Sequence, residues 1–243
     1  MNSDDLRPYI DDFLDIYANR PILKNDGGMK APHCFWTYYW LRKVQPEVVI
    51  ESGVFKGLST WLIEQTCPNA RVIAIDVYFG GLIYKSSKAE YTSVDFNSIN
   101  WTQVLGGKKT LAFIDDHQNN YERLRHAFNH KIQYMIFEDN YPTTHGDVLS
   151  LKKIMMGDSY VIDRDGVKTY HTIPPEYKAN VMNVARYMEC PPIYLDSAMT
   201  RWNDPFSIHQ TQPPVFSTLE EGMEIFKEDQ LDYTFIAFVI LNV

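Results

Sequence analysis

Glu47-Val48-Val49-Ile50-Glu51-Ser52-Gly53-Val54-Phe55-Lys56-Gly57-Leu58-Ser59 is the stretch that decides how this chain is read. Its first five residues form a short apolar run that closes on a carboxylate, as a buried strand does. Two glycines four residues apart follow, and a helical pattern then runs from Ser59 to Thr66. Strand, glycine turn and helix in that order open a β-α-β unit.

Four further runs repeat the strand pattern: Arg71 to Asp76, Tyr91 to Asp95, Thr110 to Asp115 and Gln133 to Glu138. Several are too continuously apolar to be exposed on one face, as expected of parallel strands covered by helices on both sides. A second helical stretch, Asn119 to Phe128, places Tyr121, Leu124, Arg125 and Phe128 at helical spacing. The alternation predicts an open, mostly parallel sheet of the doubly wound α/β class, with ligands outside the carboxyl ends of the strands. Each of the five runs ends in a carboxylate, so Glu51, Asp76, Asp95, Asp115 and Glu138 are expected along one rim.

Outward from this centre, residues 3 to 44 read as helical and carry the aromatic segment Phe35-Trp36-Thr37-Tyr38-Tyr39-Trp40. Residues 1–45 are expected to form an N-terminal helical cap, and the stripe Phe35, Trp36, Tyr39, Trp40 to pack it on the core. Asn25-Asp26-Gly27-Gly28-Met29, ahead of that helix, reads either as a plain turn or as a strap over the ligand. After residue 157 the texture loosens, with seven of the thirteen prolines between Pro174 and Pro214. Residues 157–218 are therefore expected to be loop-rich and to face an acceptor, with Tyr170, His171, Trp202 and His209 as candidate contacts. The strand-like end, Tyr233 to Val243, is expected to return antiparallel at the sheet edge.

Composition removes several classes of function. Twenty-three basic residues against thirty-one acidic ones leave a net charge of −8, which argues against a nucleic-acid partner held by phosphate contacts. The longest apolar run, Phe235 to Leu241, is seven residues, whereas a membrane span needs about twenty. An acidic, polar start without a basic and then apolar leader leads us to expect a cytoplasmic protein. Cys34, Cys67 and Cys190 are odd in number and far apart, so reduced, buried thiols are expected.

The glycine turn is not the dinucleotide pattern, because Val54 and Phe55 stand where further glycines would be needed and Glu51 would face a pyrophosphate. A carboxylate there suits a cationic ligand. Asp76, nineteen residues after Gly57, is placed to accept hydrogen bonds from two ribose hydroxyls. An adenosine carrying positive charge in place of a diphosphate is S-adenosylmethionine (SAM). The plainer alternative is that Gly53 and Gly57 serve a tight turn and Asp76 caps a helix.

A second constellation joins Ile114-Asp115-Asp116-His117 to Glu138-Asp139-Asn140. If the two strands are neighbours, their ends lie about 5 Å apart and the carboxylates converge. An all-oxygen set selects a hard divalent cation such as Mg2+ or Mn2+. A cation of this kind orients an acceptor hydroxyl and makes it more acidic, and His117 is placed to take its proton. These acids and His117 have alternative uses, as helix caps and as a structural histidine. His33, His145 and His171 are weaker candidates, with His145 near the acceptor side.

With Glu-x-Gly-x-x-x-Gly at the first turn and an acid ending the second strand, the chain resembles the class I SAM-dependent methyltransferases. The resemblance implies a Rossmann-like, seven-stranded, mostly parallel sheet over residues 46–243 with an antiparallel edge strand. It implies Glu51, Ser52, Gly53, Gly57 and Ser59 around the methionine end, Asp76 on the ribose, and Asp95 and Asp115 on the remainder of the cofactor. The pairing of Asp115, Asp116, Glu138 and Asp139 resembles the metal site of the O-methyltransferases grouped with macrolide-sugar and rhamnosyl methyltransferases and the cephalosporin hydroxylase-like family. The strand-four motif is one residue shorter here, so either Asp115 or Asp116 is the ligand. That second resemblance covers roughly residues 25 to 156 and implies O-methylation of a sugar or glycan hydroxyl, a deoxyhexose such as rhamnose among them. Similar domains occur in glycan-assembly proteins of large DNA viruses, where the location would be the host cytoplasm and the chain part of a larger protein. A small catechol or natural-product acceptor, a nicotinamide-dependent oxidoreductase and a noncatalytic adenosine-binding module are the competing readings. A homo-oligomer is compatible with all of them.

Overall fold

The computed structural model describes residues 3–194, 200, 201, 204, 205, 213–228 and 236–243. Trp202 and His209 lie outside the described residues. Two helices, α1 (Ser3–Tyr17) and α2 (Ala31–Val44), lead into β1 (Val48–Ser52), α3 (Leu58–Thr66), β2 (Arg71–Ile75) and β3 (Glu90–Thr92). A 3-10 turn at Phe96–Ser98 precedes α4 (Trp101–Leu105), β4 (Thr110–Ile114), α5 (Asn120–Asn129), β5 (Tyr134–Phe137) and α6 (Leu151–Met156). Then come β6 (Ser159–Arg164), β7 (Val167–Thr172), α7 (Pro175–Val184), β8 (Ala185–Glu189), β9 (Thr200–Arg201), β10 (Asp204–Pro205), α8 (Glu224–Glu228) and β11 (Ala237–Leu241).

Seven strands make one sheet in the order β3-β2-β1-β4-β5-β11-β8. β1 pairs in parallel with both β2 and β4, β2 with β3, and β4 with β5. β11 runs antiparallel to β5 and to β8. The antiparallel C-terminal strand expected at the edge is thus present on that side, one place in from the last strand. The order reverses between β1 and β4, which makes their carboxyl ends the switch point where such sheets bind ligands.

The period-2 geometry of each strand splits the core in two. Val49, Val72, Leu111, Phe113, Ile136 and Phe238 face α1, α2 and α3. Val48, Ile50, Ile73, Ala112, Met135 and Val239 face α4 to α7. The aromatic stripe of α2 packs as expected: Phe35 and Trp36 are buried, and Trp40 stacks on Phe238 of β11 with ring centroids 3.8 Å apart. The three cysteines are buried, and none forms a disulfide among the described residues.

Residues 157–194 are more regular than the proline-rich sequence suggested. β6 and β7 form an antiparallel hairpin outside the main sheet, and α7 and β8 follow it. Among the described residues, no helix is long and apolar enough to cross a membrane.

Candidate active site

Three connected hollows lie over the carboxyl ends of β1, β2, β4 and β5. The first is a cavity of about 460 Å³ walled by Ser52, Gly53, Asp76, Asp95, Asp116 and Arg123, with Phe55, Ile75, Val77 and Tyr78 as its apolar side. The second, about 220 Å³, is lined by Asp115, Glu138, Asp139, His33 and His117. Gly27 and Gly28 border both, so the loop ahead of α2 crosses their junction. A third and more open cleft continues from His117 and Tyr141.

The glycine turn is shaped by contact with its neighbours. Gly53 has φ +97, and a Cβ there would sit 1.9 Å from the Asp115 carbonyl oxygen. Its N–H donates to Ile75 O at 2.9 Å, which joins the ends of β1, β2 and β4. Gly57 has φ +92 and leads into α3; a Cβ would meet Tyr84 O at 2.2 Å. Both positions need glycine, for backbone sign and for space. Gly53 lines the first cavity, whereas Gly57 and Ser59 do not.

Strand parity sends Glu51 and Ser52 to opposite faces of the sheet. Glu51 is fully buried and accepts a 2.7 Å hydrogen bond from Thr60 at its Oε2, while its Oε1 has no partner. Burial pushes its carboxyl up to about 7. Glu51 therefore packs toward α3 and is absent from the cavity wall on which the methionine end was expected. Ser52 turns the other way and donates to Asp116 Oδ2 at 2.5 Å.

Asp76 organises the turn from the cavity wall. Its Oδ2 accepts from the backbone N–H groups of Val54 at 2.9 Å and Phe55 at 3.0 Å, and its Oδ1 from Tyr78 at 3.0 Å. With two donors on Oδ2 and one on Oδ1, one acceptor site remains, on Oδ1, for a ligand hydroxyl. Asp95 is gripped by Arg123, whose Nη1 and Nη2 donate to it at 2.9 and 2.6 Å, and this holds its carboxyl below the usual range. The same guanidinium donates through Nε to Asp116 at 2.9 Å. Arg123 was absent from the sequence reading except as a helix position; its burial between two rim acids is a tertiary fact.

This network separates the two adjacent aspartates. Asp116 is committed to Ser52, Arg123 and the Gln118 N–H, on the side of the first cavity. Asp115, His117 and Asp139 present ligand atoms within 4.8 Å of one another. Of the two aspartates in the shortened motif, Asp115 is the one that lies in the acidic cluster, and Asp116 stands apart from it. Glu138 N donates to Ile114 O at 3.0 Å, which aligns the ends of β4 and β5. Its carboxylate meets Nδ1 of His33, carried by α2.

The acidic hollow has the chemistry of a cation site. Both oxygens of Asp139 are buried without a hydrogen-bond partner among the described residues. Burial, then the nearby Glu138 charge, push Asp139 up to about 7; burial and the charges of Glu138 and Asp139 push Asp115 well above its usual range. Three carboxyls held this close, with the His117 imidazole 3.7 Å from Asp139 as a partial counter-charge, are what a hard cation relieves further. The carboxylates of Asp115 and Asp139 are hard oxygen donors that fit Mg2+ or Mn2+, and His117 stands beside them.

His117 sits at φ +52, half exposed, with Nδ1 donating to Asp147 at 3.0 Å and lying 3.7 Å from Asp139. The bond to Asp147 raises its pKa to about 9. Asp147, on the loop after β5, is not among the residues the sequence points to, and His33, 105 residues before its partner, is only a weaker candidate there. Tyr170, 79% exposed, and His171, stacked on Tyr160, stand on the hairpin and away from the three hollows.

No family model matches the chain, and no curated protein matches it. Among solved structures, CmcI with Mg and SAM is similar at 21% identity over 52% of this chain and 65% of that one, with a TM-score of 0.39. CmcI-N160 in its apo form gives 20% identity over 45% and 53%, with a TM-score of 0.40. The chain thus spans about half to two thirds of the length of these CmcI structures. TomG of Streptomyces achromogenes, an O-methyltransferase involved in tomaymycin synthesis and solved with SAM, covers 97% of this chain and 90% of its own at 11% identity, with a TM-score of 0.49.

Proposed function

We propose that this chain is a SAM-dependent O-methyltransferase that methylates a hydroxyl of a sugar or glycan with the help of a divalent cation. The observation that carries the reading is the adjacency of two hollows at the switch point: a nucleoside-sized cavity with acids on one wall and apolar side chains on the other, opening onto a cluster of buried carboxylates.

In this reading Asp76 takes a ribose hydroxyl with the acceptor site left on its Oδ1. Phe55, Ile75, Val77 and Tyr78 give the adenine a flat apolar wall. SAM supplies an electrophilic methyl group on a sulfonium. A divalent cation held by Asp115 and Asp139 would supply Lewis acidity toward the acceptor hydroxyl, leaving the His117 ring free to act as base. Gly27 and Gly28, at the junction, limit water around the reacting atoms.

His117 and Asp147 form a carboxylate-oriented imidazole, the arrangement that presents Nε2 to a proton donor. Taking up that proton requires the neutral ring, and positive charge beside Asp139 favours that form. Glu138 and His33 hold the cap helix against the acidic hollow. Asp116 acts indirectly, by fixing Ser52 and Arg123 at the first cavity.

The test is calorimetric titration of chelator-treated protein with SAM and, separately, with NADH, each with and without Mg2+ or Mn2+. Micromolar binding of SAM and none of NADH is expected; absence of SAM binding would overturn the proposal. Asp139→Asn should keep SAM affinity and lose metal-stimulated methyl transfer by more than about a hundredfold, the scale of a lost metal-site group.

A further inference from the structure

The third cleft has a volume of about 570 Å³ and meets the acidic hollow at His117 and Tyr141. Its far wall is the turn of the β6–β7 hairpin, Asp163, Arg164 and Asp165, and its floor is the loop bearing His145 and Asp147. No aliphatic side chain lines it among the described residues. The contrast with the first cavity is chemical: one hollow offers apolar walls for a flat ring, the other carboxylates, imidazoles and a guanidinium.

The hairpin is fastened in place. Val161 N donates to Thr143 O at 2.7 Å and Asp163 N to Gly146 O at 3.1 Å, so β6 is zipped to the loop after β5. Lys153 is fully buried, and its Nζ donates to the carbonyls of Gly146, Val148 and Val161 at 3.1, 2.6 and 2.8 Å. One ammonium thus ties floor and wall together and holds Asp147 where it meets His117. The opposite strand, β7, is exposed along its whole length. A wall rigid on one side and free on the other is suited to shaping a site rather than supporting the core.

At the turn, Asp163 is occupied by the Gly166 N–H at 3.1 Å and by Lys168 at 3.8 Å. Arg164 is exposed, its side chain makes no hydrogen bond among the described residues, and its charge acts on Asp147 across the cleft. Asp165, at φ +53, is exposed at the tip. Together they offer a fork of donors and a pair of acceptors, which a ring with several hydroxyls can satisfy at once. A flat aromatic diol would leave them unpaired and find little apolar surface.

We propose that the β6–β7 hairpin is the acceptor-recognition wall of this enzyme, and that Arg164 and Asp165 are the residues that select a polyhydroxylated ring over an aromatic diol. The assignment rests on the methyl-transfer reading above. Arg164 and Asp165, 25 and 26 positions after Asp139, would then set specificity without touching the cofactor.

The experiment pairs binding with transfer on the full chain. Saturation-transfer NMR would record binding of methyl glycosides of rhamnose, fucose and glucose and of 3,4-dihydroxybenzoate, and radiolabelled SAM would report methylation of each. A glycoside is expected to bind and to be methylated in preference to the aromatic diol. Arg164→Gln and Asp165→Asn should each raise its KM about tenfold, the effect of one lost hydrogen bond to a charged group, with SAM affinity unchanged. Tyr170→Phe, on the outer strand, should leave KM as it is. Preference for dihydroxybenzoate, wild-type KM in both turn variants, or SAM binding without engagement of any glycoside would each overturn the assignment. Failure to bind SAM would strike the methyl-transfer reading instead, while glycoside binding measured without cofactor would still report on the wall.

Discussion

Glu51 shows at the scale of one residue how a site acid and a core acid come to share a motif. The sequence puts a carboxylate at the end of every parallel strand, yet β1 runs one residue beyond Glu51, to Ser52, and the pleat turns Glu51 toward α3. Its residue type was legible; its direction depended on the parity of one strand end, which a single sequence does not carry. The consequence is a pH-dependent load on stability. A carboxyl at about 7 when folded and near 4.5 when unfolded keeps its proton longer in the native state. Stability is therefore greatest below about 4.5 and falls as pH rises through about 7. Glu51→Gln removes that load, so the variant should match the wild type near pH 4.5 and exceed it at pH 8 by on the order of 3 kcal/mol. Urea denaturation at the two pH values measures the gap, and parallel profiles for the two proteins would refute the argument.

At the scale of elements, the turn between β1 and α3 is where sequence and fold agree best. A glycine pattern after an apolar run predicted a close approach, and the structure supplies the reason: the backbone of β4 passes where a Gly53 side chain would be. Gly107 is a natural control, since it too has positive φ, at +78, but nothing lies within 4 Å of a Cβ there. Gly107→Ala should cost only the left-handed backbone term, about 1–2 kcal/mol. Gly53→Ala adds overlap with the Asp115 carbonyl and should lose several times as much, and with it the approach of β1 to β4 that forms the first cavity. Equal melting temperatures for the two variants would show that the overlap is relieved without cost. Other elements were hidden for equally physical reasons. β3 is three residues long and half exposed, and β7 is exposed at every position, so neither shows the burial alternation by which strands are read. The prolines that suggested loops after residue 157 instead flank α7 and follow β8.

At the scale of the molecule, the sheet order gathers charges that lie far apart in the chain. Adjacent β4 and β5 made the meeting of Asp115 with Glu138 and Asp139 foreseeable, because neighbouring strand ends must lie close. His33 reaches the same hollow from the first layer of helices and Asp147 from a loop, and no local pattern announces either. The assembled hollow leaves Asp139 and Asp115 protonated more readily in the folded state than in the unfolded one, so without metal both draw stability down as pH rises, Asp139 from about 4 through about 7. A cation that binds the ionised carboxylates reverses this, since it adds stability in proportion to its occupancy and does so increasingly as pH rises. Melting temperature in chelator should accordingly fall between pH 5 and pH 8, and Mn2+ or Mg2+ should restore most of the loss at the upper end. Asp139→Asn separates the two effects: with one buried charge removed it should melt above the wild type in chelator at pH 8, yet gain much less from added metal. A variant that is destabilised in chelator, or that responds to metal like the wild type, would mean that Asp139 is neutralised by the protein itself and that the hollow is not a cation site.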